Sequence, residues 1–386
     1  SRFQIAADGS LSTPTLGTQN LRLGANAGNS IASGGNYNTL IGDGAGTDFT
    51  TGCVQNVALG VDALANDVKG CNSVAIGAYA LNAQSFSSTT NAFNTAVGDL
   101  AGLRVTTGIR NTLLGAAAGD AIEDADENEA VGYAALSANV LGSGSVAVGS
   151  FALNLQNPAS AVTMYNVAVG NGAGAGLTTG TQNTLIGGLA GDALGVAYSN
   201  VAVGFEALTT DVNGRSSTAI GTQALKVQNY SSSTHSYNTA VGYQAGAAVT
   251  TGINNTLIGA SAGDAVTTGS SNSFMGTNAG GGVVGGSSTQ GNHNIAVGLN
   301  SLVDTTALTT GSHNIAIGNF TRTNAADSTF ATVIGYNVSG TSGYFTIGKN
   351  AEDIRAAHGN VTWQTVSDER YKKDIVDSTA GLSFIN

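Results

Sequence analysis

The chain has 386 residues, of which 56 are Gly and 2 are Pro. Gly is therefore about twice as frequent as its usual share of about 7%. Collagen is excluded because it needs abundant Pro and Gly at every third position. A disordered Gly-rich linker is excluded because 41% of the residues are hydrophobic. The glycines are expected to follow a repeat.

The formal net charge of −11 and the 13 basic residues argue against two classes of partner. The basic footprint of a nucleic-acid-binding protein is absent, and so is the Lys/Arg cluster that anionic membranes attract. The sequence also lacks an apolar run of about 18 residues, so membrane insertion is not expected. No cofactor is expected, because the chain has no P-loop or HExxH string.

Residues 1–19 precede the repeat and begin with Ser1 rather than Met. They contain no signal-like segment. We interpret them as an N-terminal connector in a piece of a longer chain.

Residues 20–340 repeat the pattern Asn-x-small-apolar-Gly-x-x-Ala. The Gly of this pattern, called the anchor glycine below, is always preceded by Leu, Ile, Val or Met. Asn lies four residues before it in 14 of 18 copies. The anchor glycines are Gly24, Gly42, Gly60, Gly77, Gly98, Gly115, Gly132, Gly149, Gly170, Gly187, Gly204, Gly221, Gly242, Gly259, Gly276, Gly298, Gly318 and Gly335.

Most anchor glycines are about 17 residues apart, which is too short for a repeat built from helical pairs. A short β-branched run that ends at Gly indicates a strand followed by a turn. The sequence therefore predicts an all-β parallel β-roll or β-solenoid of about 18 coils. Each anchor Gly would form a sharp turn close to the neighbouring backbone. The recurring Asn would form a stacked ladder, start a turn, or do both.

A second period of about 72 residues groups the coils into blocks of four, because the spacings run 17, 17, 17, 21 and then repeat. Ser replaces the Asn once in each block, at Ser73, Ser145 and Ser217. Each block has an insertion after its last coil, and each insertion is expected to protrude from the same side of the rod, about 19 Å from the next. The insertions are Ser85–Phe93, Asn157–Tyr165 and Asn229–Tyr237.

The narrow roll is expected to bury little area, and its Ala and Gly faces are expected to be flat and apolar. Oligomerisation compensates for an insufficient core, so several chains are expected to pack side by side.

Three groups of polar residues are candidate sites. Asp120, Asp192 and Asp264 recur once in each four-coil block, the first of them beside the acidic segment 121–130, and we interpret them as turn residues rather than Ca²⁺ ligands. Cys53 and Cys71 lie in adjacent coils within plausible disulfide reach, and two buried thiols are favoured over a bond. The histidines lack the spacing of metal ligands, so no metal is expected; they are His235, His293, His313 and His358.

The strings "NTAVGDLAG", "SVAIGAYAL" and "NVAVGNGAG" resemble the head repeats of trimeric autotransporter adhesins. The resemblance covers about residues 20–340 and implies a parallel β-roll in a side-by-side homotrimer. The adhesin coil is shorter than the coil of this chain.

Residues 341–366 are interpreted as a C-terminal stem, and 367–386 resemble the start of the endosialidase-type intramolecular chaperone domain of phage tail spikes and fibres. The matching string runs from Ser367 and contains Asp368, Arg370, Lys372 and Asp374. The resemblance implies self-cleavage of the Val366–Ser367 bond, with Ser367 as the nucleophile and Lys372 as its general base.

This chemistry is coherent, because a Ser hydroxyl needs a neighbouring base and a desolvated Lys can act as one. The family domain is much longer than 367–386, however. A charged surface segment without chemistry is the alternative. At most, each chain is expected to cleave itself once. An enzyme with repeated turnover is not expected.

The resemblances together predict a structural protein: a trimeric fibre of a phage tail or virion appendage that attaches to a host surface. Its partners would be copies of itself, other fibre or tail proteins, and a host glycan or protein receptor. Its location would be the virion. A bacterial trimeric surface adhesin is an alternative, which would place the chain on the cell surface. A glycan-hydrolysing tailspike is another, although the repeat provides no pair of carboxylates for it.

Overall fold

The computed structural model describes residues 4–5, 11–12, 17–283, 291–303, 310–359 and 364–365. These residues form a parallel β-solenoid without a helix. Nineteen short strands stack in register in one continuous ladder, one more than the 18 coils that the sequence predicts. The predicted fold class is confirmed, and so is the spacing of 17 positions between stacked coils.

The strands of this main ladder are mostly three residues long, and each pairs in parallel with the next. They are Leu21–Leu23, Thr39–Ile41, Val57–Leu59, Val74–Ile76, Thr95–Val97, Thr112–Leu114, Glu129–Val131, Val146–Val148, Val167–Val169, Thr184–Ile186, Val201–Val203, Thr218–Ile220, Thr239–Val241, Thr256–Ile258, Ser273–Met275, Ile295–Val297, Ile315–Ile317, Thr332–Tyr336 and Tyr344–Lys349.

Four additional pairs of two-residue strands lie outside the main ladder and are also parallel. Three of them join the end of an insertion to the preceding coil, so that one such pair recurs in each four-coil block. The four pairs are Gly70–Cys71 with Thr90–Asn91, Gly142–Ser143 with Val162–Thr163, Gly214–Arg215 with Thr234–His235, and Arg322–Thr323 with Ser339–Gly340.

The parallel stacking ends in an antiparallel hairpin. Tyr344–Lys349 is parallel to Thr332–Tyr336 on one side and antiparallel to Glu352–Ala357 on the other. Glu352–Ala357 then pairs antiparallel with Gln364–Thr365. Another antiparallel pair, Gln4–Ile5 with Leu11–Ser12, lies near the N-terminus.

The anchor glycines explain the Gly content. All 18 have φ between 117° and 142°, a region that residues with a Cβ rarely adopt. A Cβ added at Gly187 would also lie 2.5 Å from the carbonyl oxygen of Gly204, the anchor of the next coil. Each anchor therefore needs Gly both for its own turn and for the close approach of its neighbour.

The core of the rod is narrow and built from small residues. The second residue of each strand from Thr39–Ile41 to Thr332–Tyr336 points inward, and the Ala that follows the anchor by three residues is buried in each of the first 15 coils. Larger side chains such as Leu113, Ile122 and Leu185 fill the remaining interior. Every coil therefore packs chiefly on the coils directly before and after it.

The recurring Asn forms a buried ladder, as one of the two sequence interpretations predicts. Asn183 is fully buried. Its Oδ1 accepts the backbone N–H of Asn200 at 3.1 Å, and its Nδ2 donates to the carbonyl oxygen of Ala197 at 2.9 Å. Each such Asn therefore satisfies backbone groups in the interior that the strands leave unpaired.

Candidate functional site

The residues predicted for self-cleavage lie outside the described residues. The last described strand, Gln364–Thr365, ends before the predicted scissile bond Val366–Ser367. Self-cleavage therefore stays a prediction. The residues concerned are Ser367, Asp368, Arg370, Lys372 and Asp374.

An uninterrupted aliphatic stripe runs along the outside of the rod. It consists of the residue directly before each anchor glycine, and all 18 of these side chains are at least partly exposed. Ile186 is 39% exposed and Ile220 is 38% exposed. The expected flat faces of Ala are not on the surface, because those alanines point into the core. The apolar face is instead this stripe of Val, Ile, Leu and Met, called the aliphatic stripe below.

A second surface feature is a set of exposed aromatic rings five residues before an anchor. Phe93, Tyr165 and Tyr237 are 55%, 65% and 58% exposed, and each ends one of the three insertions. All three have positive φ, as most residues at this corner of the coil do. The aromatic ring is thus not required by the turn. It recurs at the end of every insertion, and Tyr37 and Phe330 present exposed rings at the same position of two other coils, at 58% and 55%.

The third insertion carries further functional groups beside its ring. Arg215 lies over the ring of Tyr198, with Cζ 4.2 Å from the ring centroid, and its Nη1 lies 2.9 Å from the Tyr198 hydroxyl. His235 stacks on Tyr237 with centroids 5.4 Å apart and meets Tyr198 edge-on at 5.9 Å. These four residues, called the third-insertion cluster below, bring a cation, an imidazole and two phenols together on the surface.

Sequence reasoning missed this cluster, because its members are far apart along the chain and belong to different coils. They meet only because Gly214–Arg215 pairs with Thr234–His235 across the insertion. A comparison of equivalent positions in the three blocks could have found them, since Tyr198, Arg215 and His235 are aromatic or basic where the other blocks are not.

A buried polar cluster lies at each Ser of the ladder and was also missed. Gln84 donates to Asp67 at 2.6 Å and to the Ser73 hydroxyl at 3.2 Å, and it accepts from Asn94 at 2.8 Å. Gln156 and Gln228 occupy the same place in the second and third blocks. Each Gln compensates for the carbonyl group that the Ser lacks. Each Gln lies 11 residues after its Ser, and this constant spacing is visible in the sequence.

Burial raises the pKa of Asp67 to about 6, although Gln84 and the backbone N–H of Gly70 donate to its carboxylate. The same cause raises the pKa of Asp211, its equivalent in the third block. The middle block has Asn139 instead, whose Oδ1 accepts the N–H of Gly142. A neutral side chain therefore fits this position in the same fold.

The Asp67→Asn variant is expected to be more stable than the wild type at pH 7, by about 1–3 kcal/mol. Between the ordinary pKa of 3.8 and the raised value of about 6, the folded state binds more protons than the unfolded state. Wild-type stability should therefore fall as the pH rises through this window. The difference should vanish below about pH 4. Urea unfolding at pH 4, 5, 6 and 7 measures it; a constant difference across that range would contradict the assignment.

Of the aspartates considered as Ca²⁺ ligands, Asp120 has a buried Oδ1 without a hydrogen-bond partner within the described residues, and burial raises its pKa and that of Asp264. Asp192 accepts a hydrogen bond from Thr209. In the acidic segment, Asp124 accepts from the hydroxyls of Thr106 and Thr107, both at 2.7 Å, and these bonds lower its pKa. Within the described ranges, no group of three or more His, Cys, Asp or Glu side chains could hold a metal ion.

Cys53 and Cys71 are both buried and free. Their thiols donate to the carbonyl oxygens of Val68 and Gly52. Burial raises the pKa of Cys53 to about 12 and also raises that of Cys71. Since the thiolate is the reactive form, both side chains act as small packing groups.

Two of the four histidines, each five residues before an anchor glycine, form a stack. His293 and His313 lie 4.8 Å apart between ring centroids, and Phe330 continues the stack at 4.9 Å. His235 belongs to the third-insertion cluster, and the backbone N–H of His358 donates to Gly343.

No protein-family model, curated protein or solved structure matches the chain. The part of the chain that the structure describes contains no helix of the length and apolarity needed to cross a bilayer.

Proposed function

We propose that this protein is the shaft of a homotrimeric fibre, part of a phage tail or virion appendage that attaches to a host surface. The observation that carries the proposal is the aliphatic stripe, which presents one Val, Ile, Leu or Met per anchor glycine along the rod. Monomeric proteins rarely expose a contiguous apolar surface of this extent.

A rod of stacked coils suits a structural role. Its 18 steps of about 4.8 Å give a length on the order of 85 Å. Strand register is fixed at every step, and the ladder of Asn side chains links neighbouring coils internally. Three such rods packed through their stripes would share one apolar core. The number three comes from the resemblance to trimeric adhesin heads.

The exposed rings of Phe93, Tyr165 and Tyr237 support a role in attachment. Four coils separate each ring from the next, which corresponds to about 19 Å. In a trimer this spacing would give an array of rings repeated along and around the fibre. Such an array can bind a repetitive surface polymer with more avidity than any single contact provides.

Chemical crosslinking and native mass measurement are expected to give a trimer for the wild type. The double variant Ile186→Asp/Ile220→Asp should shift the mass to the monomer, because two carboxylates per chain would be buried without partners at the interface. Leu155→Asp is the control, since Leu155 is 51% exposed and lies outside the stripe. A monomeric wild type would overturn the fibre proposal.

Attachment is tested separately by incubating fluorescently labelled trimer with candidate host cells. Binding is expected for the wild type and should be lost when Phe93, Tyr165 and Tyr237 are all replaced by Ser. A trimer that binds no bacterial surface would leave a structural fibre without the proposed attachment role.

A further inference from the structure

We propose that the third-insertion cluster is a binding site for an acidic sugar, namely a pyranose that carries a carboxylate. This inference rests on the proposed function and names the class of host ligand. The site consists of Tyr198, Arg215, His235 and Tyr237, and it lies where the third insertion returns to the rod.

The repeat itself shows that the cluster is not needed for folding. The middle block has the same parallel pair, Gly142–Ser143 with Val162–Thr163, in the register of Gly214–Arg215 with Thr234–His235. Small or short polar side chains occupy the equivalent positions in the other two blocks. In place of Tyr198, Arg215 and His235 the middle block has Asp126, Ser143 and Thr163, and the first block has Val54, Cys71 and Asn91.

Arg215 is a cation that has no anionic partner among the described residues. The ion pairs of the described residues are Arg110 with Glu127 and Lys226 with Glu206, and neither involves Arg215. Its Nε is buried and has no hydrogen-bond partner within the described ranges, while Nη1 donates to Tyr198. A guanidinium has five N–H donors in a planar fork that matches a carboxylate. An uncompensated Arg on a chain of net charge −11 therefore favours a carboxylate ligand.

The rings around Arg215 supply the other half of the site. Tyr237 is 58% exposed, and His235 lies nearly parallel to it, at an angle of 12°. The C–H face of a pyranose packs on such a ring, while its hydroxyls need hydrogen-bond partners. The Tyr198 hydroxyl and the Ser216 hydroxyl, which lie 3.4 Å and 3.2 Å from the two His235 nitrogens, provide them.

The arrangement fits a sugar better than a free anion. An inorganic anion would use Arg215 alone and gain nothing from the stacked rings. A neutral sugar would use the rings and leave the guanidinium unpaired. Only a ligand that has both an apolar ring face and a carboxylate engages the whole cluster.

Isothermal titration calorimetry on the full-chain trimer tests the site, with trigalacturonate and sialyllactose as acidic probes, lactose as the neutral probe and sulfate as the free anion. At least one acidic probe is expected to bind about tenfold or more tightly than lactose and sulfate. The variant Arg215→Ser/His235→Thr copies Ser143 and Thr163 of the middle block. It should lose that binding at least tenfold while the thermal unfolding temperature stays unchanged. Arg104→Gln is the matched control for the loss of one positive charge.

Three outcomes would overturn the inference: no acidic probe binds, the double variant binds as tightly as the wild type, or sulfate binds as well as the sugars. These outcomes are distinct from failure of the proposed function. If the trimer attaches to cells but binds no acidic probe in the calorimetry, the fibre proposal stands and the acidic-sugar site is rejected. If the wild type is a monomer, the fibre proposal is rejected, whatever the calorimetry shows.

Discussion

Replacing Gly187 with Ala is expected to lower the free energy of unfolding by about 4 kcal/mol or more. Gly187 has a φ of 131°, and the new Cβ would lie 2.5 Å from the carbonyl oxygen and 2.6 Å from the carbonyl carbon of Gly204. These are backbone atoms of the next coil, so no side-chain rotation relieves the clash. Because each coil packs on its neighbours, the stack should separate at this step. Guanidinium unfolding followed by circular dichroism measures the loss.

Gly188→Ala is the matched control, one residue further along the chain. Gly188 has no positive φ, and an added Cβ would meet its nearest neighbour, the ring of Phe205, at an ordinary 3.4 Å. The free energy of unfolding of Gly188→Ala should stay within about 1 kcal/mol of the wild type. The Cβ meets no clash in the folded state, and Ala lowers the conformational entropy of the unfolded chain. Equal losses in the two variants would show that the anchor position has no special requirement for Gly.

The main ladder could be predicted from the sequence because every coil carries the same local signal. A β-branched run before Gly187 defines the strand, and the same run recurs before Gly170 and Gly204. Repetition at a fixed period makes the register of each coil depend on its neighbours rather than on distant residues. The fold class therefore follows from period and composition.

The nineteenth strand was missed because its spacing departs from the repeat. Gly348 pairs with Gly335 in the ladder, but the step between these last two strands is shorter than the step between regular coils, 13 positions rather than 17. The antiparallel partner Glu352–Ala357 has no counterpart in the repeated blocks. Periodicity alone therefore cannot predict where a solenoid ends.

The candidate surfaces were predicted less completely than the fold. The sequence indicates an apolar face, yet strand alternation decides that Ala202 faces inward while Val203 faces outward. The contact of Arg215 with Tyr198 and His235 depends on how the third insertion returns to the rod. Such a contact between non-equivalent coils is invisible to a pattern that treats every coil alike.

The buried polar clusters explain why the sequence repeats every four coils. An insertion after the fourth coil displaces the backbone that the ladder would otherwise contact. Ser145 and Gln156 replace the usual Asn at this point, and Gln156 accepts from Asn166 at 2.9 Å to resume the ladder. Ser, Gln and insertion thus form one unit, which explains why they recur together in every block.

Replacing Asn183 with Ala is expected to lower the free energy of unfolding by about 2–4 kcal/mol. The substitution removes the acceptor of the Asn200 backbone N–H and the donor to the Ala197 carbonyl. Both backbone groups lie in the interior, where unpaired polar groups keep their full desolvation cost. Urea unfolding of variant and wild type at equal protein concentration measures the change.

Thr184→Val is the control for this position. Thr184 pairs with Val167 on one side and Val201 on the other, so Val at 184 reproduces a neighbouring coil, and the change should stay within about 0.5 kcal/mol. Ala at the ladder position occurs naturally at Ala331, whose N–H still donates to Asn314. There the next residue in the stack belongs to the terminal hairpin, so little is lost. If Asn183→Ala had the same free energy of unfolding as the wild type, the Asn side chains would fill space in the core without contributing to stability.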